Sequence, residues 1–273
     1  MRGRALAILA MTLVSCSTRL VPASTPLPPV PPLRLVVTPP VAELVNSLTT
    51  AYSRLNPGIH FDMILESERA AADAIQRDPG IYWFTQHLDD ARDRWAAPIG
   101  QDGIALIAHP GIGVRDLTLA QVRGLYDGTI TRWRMVGGAD TPVIAFTREA
   151  GAGIYTAIVR QVLGTARLDS SVRIAPSDAA MRFAVERTPG AVGYLPISTL
   201  TDRLTPLRLE GVAPTRESVV AQSYPLRLIT YIVGAAEPRA DDPIGRHYRA
   251  FIGWMQSPEG QAIVSAHGAP LPG

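Results

Sequence analysis

Few side chains in this sequence stand at spacings that do chemistry. The five histidines, at 60, 87, 109, 247 and 267, are dispersed and make neither an H-x-x-x-H nor an H-E-x-x-H pair for a metal. No G-x-S-x-G turn presents a nucleophilic serine, and Gly151-x-Gly153 lacks the third glycine of a dinucleotide-binding loop. Asp89-Asp90 and Asp241-Asp242 are adjacent acids, a pattern of solvated turns and helix caps. All 26 basic residues are arginine. A chain without lysine has no P-loop, no Schiff-base amine and no S-x-x-K acyl transfer. The expectation is a protein with no catalytic residue, no metal ligands and no cofactor.

The lone cysteine stands where it bears on location rather than catalysis. Residues 1–16 read MRGRALAILAMTLVSC: two arginines, an apolar run from Ala5 to Val14, then Ser15-Cys16. This is a secretory signal, with an apolar stretch too short to span a bilayer. Leu13-Val14-Ser15-Cys16 resembles the lipobox of bacterial lipoproteins, which implies that Cys16 is diacylated and becomes the first residue. The alternatives are an ordinary signal peptide or a short membrane anchor. A single cysteine also excludes a disulfide scaffold and a cysteine-based zinc site.

Between Val21 and Leu33 lie prolines 22, 26, 28, 29, 31 and 32, which exclude helix and favour extended polyproline II. Residues 17–32 then form a tether that reaches roughly 50 Å from the membrane at about 3.1 Å per residue. No later apolar run approaches the ~20 residues of a transmembrane helix. Without Arg2 and Arg4 the arginines number 24, equal to the 24 acids, so no basic surface marks a nucleic-acid partner.

Beyond the tether, at 47% hydrophobic and 18% charged residues, the chain buries a substantial core as one large domain or two ordinary ones. Strand-like runs alternate with amphipathic helical patterns. Leu33–Val37, Ile59–Met63, Ile81–Phe84, Gly103–Ala108, Pro142–Thr147, Ala191–Leu195 and Leu226–Val233 read as strands. Helices are expected over 41–55, 67–77, 118–126, 152–163, 177–186, 243–256 and 258–267. Thr118 and Gln121 form a capping box, and Ser177 and Ser257 are N-caps. The alternation argues for α/β architecture.

Several segments, in order, resemble the phosphate-binding-protein branch of the type 2 periplasmic substrate-binding family. They are Asp102-Gly103-Ile104-Ala105-Leu106-Ile107, Leu117-Thr118-Leu119-Ala120-Gln121, and Gly128-Thr129-Ile130-Thr131-Arg132-Trp133. Val136-Gly137-Gly138, Thr147-Arg148-Glu149, Gly190-Ala191-Val192-Gly193-Tyr194, Tyr224-Pro225-Leu226 and Ser257-Pro258-Glu259-Gly260-Gln261 complete the set. The resemblance spans residues 33–273. It implies a two-lobed fold of mixed sheets flanked by helices with a two-strand hinge. Lobe one would be 33–110 plus 225–273 and lobe two 111–224, with crossings near Ala108–Gly113 and Gln222–Leu226. It further implies a monomeric, extracytoplasmic solute-binding protein that delivers a small anion such as phosphate to an ABC permease, and no enzymatic activity.

The family holds its anion on three loops. The most diagnostic is an Arg followed by Ser-Gly-Thr at a helix start; here it reads Arg148-Glu149-Ala150-Gly151-Ala152-Gly153-Ile154-Tyr155. Arg148 and Gly153 match, but Ala152 and Ile154 replace both hydroxyl donors. Losing two hydrogen bonds to a charged ligand, at about 1.5–3 kcal/mol each, weakens binding roughly 10²–10⁴-fold. By the same resemblance Thr38, Ser67, Thr85 and Gln86 join Arg148, Ala152 and Gly153 as ligand-binding residues. Pro39 and Pro40 donate no N–H, Glu66 and Glu68 flank Ser67, and no acid stands near 84–87 to accept a ligand proton. Arg148 equally suits a salt bridge, Thr38 and Ser67 suit helix caps, and Tyr82, Trp83 and Tyr155 suit core or cleft walls. Two alternatives follow from Ala152 and Ile154. One is a sensor or scaffold lipoprotein whose cleft Ile154 and Tyr155 fill; the other is an importer component for a less charged organic solute.

Overall fold

The computed structural model describes residues 30–86, 88, 94–201, 204 and 206–272. The signal segment, Cys16 and the tether up to residue 29 lie outside the described residues, as do His87 and Asp89-Asp90. Among the described residues no helix is long and apolar enough to cross a membrane.

The strands are β1 (Leu33–Val37), β2 (Phe61–Leu65), β3 (Tyr82–Thr85), β4 (Trp95–Ala108), β5 (Asp116–Leu117), β6 (Ile144–Thr147), β7 (Arg173–Ile174), β8 (Ala191–Pro196), β9 (Arg208–Leu209) and β10 (Arg227–Gly234). The helices are α1 (Ala42–Leu55), α2 (Glu68–Arg77), α3 (Leu119–Tyr126), α4 (Gly153–Ile158), α5 (Asp178–Arg187), α6 (Arg216–Val220), α7 (Gly245–Met255) and α8 (Pro258–His267). Eight strands form one mixed sheet in the order β2-β1-β3-β10-β4-β8-β6-β7, and β5 pairs with β9 apart from it.

Alternation along the strands feeds four apolar clusters, two on each half of the sheet. Leu33, Leu35 and Val37 of β1, Phe84 of β3 and Ile99 of β4 pack with Val45, Leu48, Phe251, Met255 and Val264 from α1, α7 and α8. On the reverse face Val36, Trp83 and Val233 meet Ala71 and Ile75 of α2. In the other half Leu106, Val192 and Tyr194 join Leu125, Ile154 and Ile158 of α3 and α4. Behind them Ile107, Ala191 and Leu195 meet Met181 and Val185 of α5. Each half is thus a helix–sheet–helix sandwich.

The two halves share β4. Residues 95–103 pair antiparallel with β10, and Ile104–Ala108 pair antiparallel with β8. The sheet therefore changes partners at Gly103–Ile104, upstream of Ala108–Gly113. Beside this point Ile104 N donates to Leu226 O at 2.9 Å, and the Tyr224 hydroxyl donates to Ile104 O at 2.9 Å.

Three elements differ from the sequence expectation for identifiable reasons. β4 begins eight residues earlier than Gly103 because its first half carries Pro98, which reads as a strand breaker. Pro98 is tolerated opposite Tyr231, where the register with β10 slips between Thr230 and Tyr231. β2 lies at Phe61–Leu65 rather than Ile59–Met63; as an edge strand exposed on both faces it has little pattern to fix its register. The helix expected over 152–163 is α4 followed by a π-helical turn at Val159–Leu163, which Gly164 N closes by donating to Val159 O at 2.8 Å.

Gly190 shows why the turn into β8 needs glycine. Its φ is +78°, and a Cβ there would sit 2.1 Å from Pro142 O. Its carbonyl accepts from the fully buried Trp133 Nε1 at 2.8 Å and from Ile144 N at 3.0 Å. Gly190→Ala combines a disfavoured φ with a backbone clash, so urea unfolding should show a loss of about 2–4 kcal/mol.

Candidate functional site

Strand directions set the candidate residues on facing strand ends. β1, β2 and β3 are mutually parallel, and β4 runs the same way because both β3 and β4 are antiparallel to β10. β8 is antiparallel to β4 and parallel to β6, so β6 runs back toward the first half. The C-terminal ends of β1, β2 and β3 therefore face that of β6 across the line where β4 changes partners. Crevices at the carboxyl ends of strands are where α/β sheets bind ligands.

From the first half come Thr38 after β1, Ser67 after β2, and Thr85 and Gln86 at the end of β3. Thr38 is buried, and its hydroxyl donates to Phe84 O at 3.2 Å. Ser67 caps α2, its Oγ accepting from Ala70 N at 3.3 Å, and it is exposed. The buried Thr85 hydroxyl donates to Glu68 Oε2 at 2.8 Å. Gln86 is half-buried. Tyr82 and Trp83 are core residues, and Tyr155 is half-buried.

From the second half come Arg148, Ala152 and Gly153. Arg148 N donates to the Tyr194 hydroxyl at 3.0 Å, and Thr147 Oγ1 lies 2.8 Å from the same oxygen. The guanidinium is engaged on two sides: Nε and Nη2 donate to Glu149 at 3.0 and 3.1 Å, and Nη1 to Asp178. Burial works against ionisation of Glu149, but hydrogen bonds from Arg148 and the backbone, with the Arg148 charge, hold its carboxyl below the ordinary range. Ala152 stands at the N-cap of α4 with no side-chain cap, after Gly151 at φ +101°. Ile154 is 5% exposed and belongs to the core of the second half, so its side chain does not fill the cleft.

Two contacts cross between the halves nearby. Arg160 Nη1 donates to Leu88 O at 2.7 Å. Gln161 forms two bonds with the backbone of Arg227, donating to its carbonyl at 2.8 Å and accepting from its N–H at 3.2 Å. At the partner change itself Asp102 is 5% exposed. It accepts from Gly103 N at 2.7 Å, from Ser198 Oγ at 2.5 Å and from Ser198 N at 3.3 Å. Asp102 lies on the β10-paired part of β4 and Ser198 follows β8, so this cluster also joins the halves. No group of three or more metal-ligating side chains occurs among the described residues.

A family model described as a PBP superfamily domain matches residues 22–259. The chain belongs to the PBP superfamily. Within it, this chain is similar to the phosphate-binding protein PstS of Bacillus subtilis, 30% identical over 125 residues, or 45% of this chain and 41% of that one. PstS of Pseudomonas aeruginosa is 23% identical over 265 residues, covering 85% and 80%. The matched stretch is less than two thirds of the Bacillus protein and of PstS of Borreliella burgdorferi, of which it covers 62%. Among solved structures, an ABC-type phosphate transport receptor from Vibrio cholerae superposes with a TM-score of 0.76 at 20% identity, covering 88% of this chain and 100% of that one. A substrate-binding protein with bound phosphate from Clostridium perfringens gives 0.73 at 23% identity, covering 89% and 100%. The two-lobed type 2 architecture expected from the sequence is the fold observed.

For a superfamily member whose halves meet at a hinge, Asp102 is the residue that sequence reasoning passed over. The signal was an acid one glycine ahead of the apolar run Ile104–Ala108, since a carboxylate carried into a sheet interior must find donors. Burial pushes its carboxyl up to about 6, against the hydrogen bonds from Ser198 and Gly103 and the charge of Arg216. Its folded value lies above the ordinary 3.8, so between about pH 4 and pH 6 the folded state holds a proton that the unfolded chain has lost. The Asp102 contribution to stability is therefore greatest below about pH 4, declines as pH rises through about 6, and is level above. Asp102→Asn removes this titration. In urea unfolding, the stability of the variant relative to the parent should rise by about 3 kcal/mol from about pH 4 to about pH 7.

Proposed function

We propose that this chain is the extracytoplasmic solute-binding component of an ABC-type importer, not an enzyme, and that it binds phosphate or another small anion between its halves. The observation that supports the reading is that Thr38, Ser67, Thr85 and Arg148 each stand at or just after a strand end, on ends that face one another where β4 changes partners. Hydroxyls, backbone N–H groups and one arginine are the donors that hold an oxyanion without a metal. The names of the Bacillus and Pseudomonas relatives, and the phosphate in the Clostridium structure, support this choice of solute.

In this reading residues 33–110 with 225–273 close on 111–224 as the ligand enters. The protein acts as a monomer held by a lipid on Cys16, with residues 17–32 as its tether, and hands its solute to a permease. The internal pairing of Arg148 with Glu149 and Asp178 favours a second reading of the solute, a less charged organic molecule. An anion arriving at Arg148 competes with carboxylates already there.

Isothermal titration calorimetry with phosphate, with sulfate as comparison, tests the assignment. Arg148→Ala should weaken phosphate binding by about 100-fold or more, the worth of one or two charge-assisted hydrogen bonds. An unchanged affinity in that variant removes Arg148 from the site, and an absence of heat with either anion in the parent removes the anion reading itself.

A further inference from the structure

A cavity of about 270 Å³ opens beside the hinge, between the first turn of α1 and the last turn of α8. Gln101 and Asp102 of β4, Thr230 of β10, Ser198 after β8, Glu43 of α1 and Gln86 after β3 contribute to its wall. Gln101, Asp102 and Thr230 are each no more than 5% exposed. The Gln101 amide nitrogen donates to Pro270 O at 2.8 Å, and its carbonyl oxygen has no donor among the described residues. The Thr230 hydroxyl likewise has no partner among them. Both oxygens open on the cavity from otherwise buried side chains, so each has hydrogen-bonding capacity to offer a guest.

The wall defines the guest's chemistry. It offers acceptors: the Asp102 and Glu43 carboxylates, the Gln101 carbonyl oxygen and the oxygen of Thr230. No arginine lines the cavity among the described residues. Donors are present too, on the Thr230 hydroxyl, the Gln86 amide and the His267 ring, but the two carboxylates repel an inorganic oxyanion. A primary ammonium, with three donors and a positive charge, matches the wall. The cost of burying the Asp102 carboxylate is also what a neighbouring cation relieves. The cavity adjoins the anion loops, because Gln86, next to Thr85, lines it, as do Pro40 and Val41, two and three residues after Thr38.

We infer that the cleft takes an organic phosphate or phosphonate whose tail carries a primary ammonium group, the head on the Arg148 side and the tail at Asp102, Gln101 and Thr230. The inference rests on the anion reading above and specifies its solute. Ser198, from the second half, shares the pocket with lobe-one residues, so a tail seated there touches both bodies and favours closure.

Three probes titrated calorimetrically into the full chain decide it: inorganic phosphate, ethylphosphonate and 2-aminoethylphosphonate. The amino compound should bind about ten-fold or more tighter than ethylphosphonate, the worth of one charge-assisted hydrogen bond. That ratio should fall toward one in Asp102→Asn and in Thr230→Val, the second of which keeps the side-chain shape. Equal affinities in the parent, or a ratio that survives both substitutions, overturn the inference and leave the anion reading standing if phosphate binds. Heat from none of the three overturns the anion reading itself, and the inference falls with it.

Discussion

One strand serves two bodies, and the rest of the molecule is arranged around that constraint. Every backbone N–H and C=O of β4 needs a partner, yet the strand leaves β10 and joins β8 within one residue step. The groups at the junction find substitutes outside the ladder. Ile104 N turns to Leu226 O, Ile104 O accepts from Tyr224, and Gly103 N reaches the Asp102 carboxylate. Those substitutes come from the 224–226 segment and from the side chain of β4's own Asp102, so the junction is satisfied outside the ladder. The strand ends that carry Thr38, Thr85 and Arg148 face one another only because β4 spans the junction.

The electrostatics of the cleft follow from a similar economy. Thr38 and Thr85 donate internally, Ser67 caps a helix, and Arg148 is gripped by Glu149 and Asp178. Such groups are preorganised, which lowers the ordering cost of binding. They are also already satisfied, so a ligand exchanges one set of bonds for another. Affinity then depends on differences between pairings rather than on their number, a regime that selects among solutes of similar size.

Much of this was legible in the sequence, and the failures have physical causes. Core strands such as Leu33–Val37, broken only by Arg34, and Ala191–Leu195 announce themselves through dense apolar runs, and the Thr118–Gln121 capping box is seen as read. Edge strand β2 and the Pro98 half of β4 were misjudged because their pattern is set by neighbours, not by their own residues. In the site, Arg148 and Gly153 stood out by their order in the chain. That Ile154 turns into the core was not readable, because one residue's direction depends on where α4 begins. Asp102 and Ser198 are 96 positions apart and meet only through the antiparallel pairing of β4 with β8.

The π-helical turn at Val159–Leu163 carries a consequence for how this fold tolerates changes of length. A π turn holds one more residue than an α-helix over the same rise, and an α-helix advances about 100° per residue. Gln161 lies inside that turn and grips the backbone of Arg227 where β10 begins. Deleting one residue here would regularise the helix and swing that amide off the strand, cutting a link between the halves while leaving each core packed. Length at this point acts as a phase angle, whereas in the exposed edge strand β2 a shift of register moves little that is buried. Two indels of equal size in one chain thus have unequal meaning, and the difference lies in angular bookkeeping rather than in buried surface.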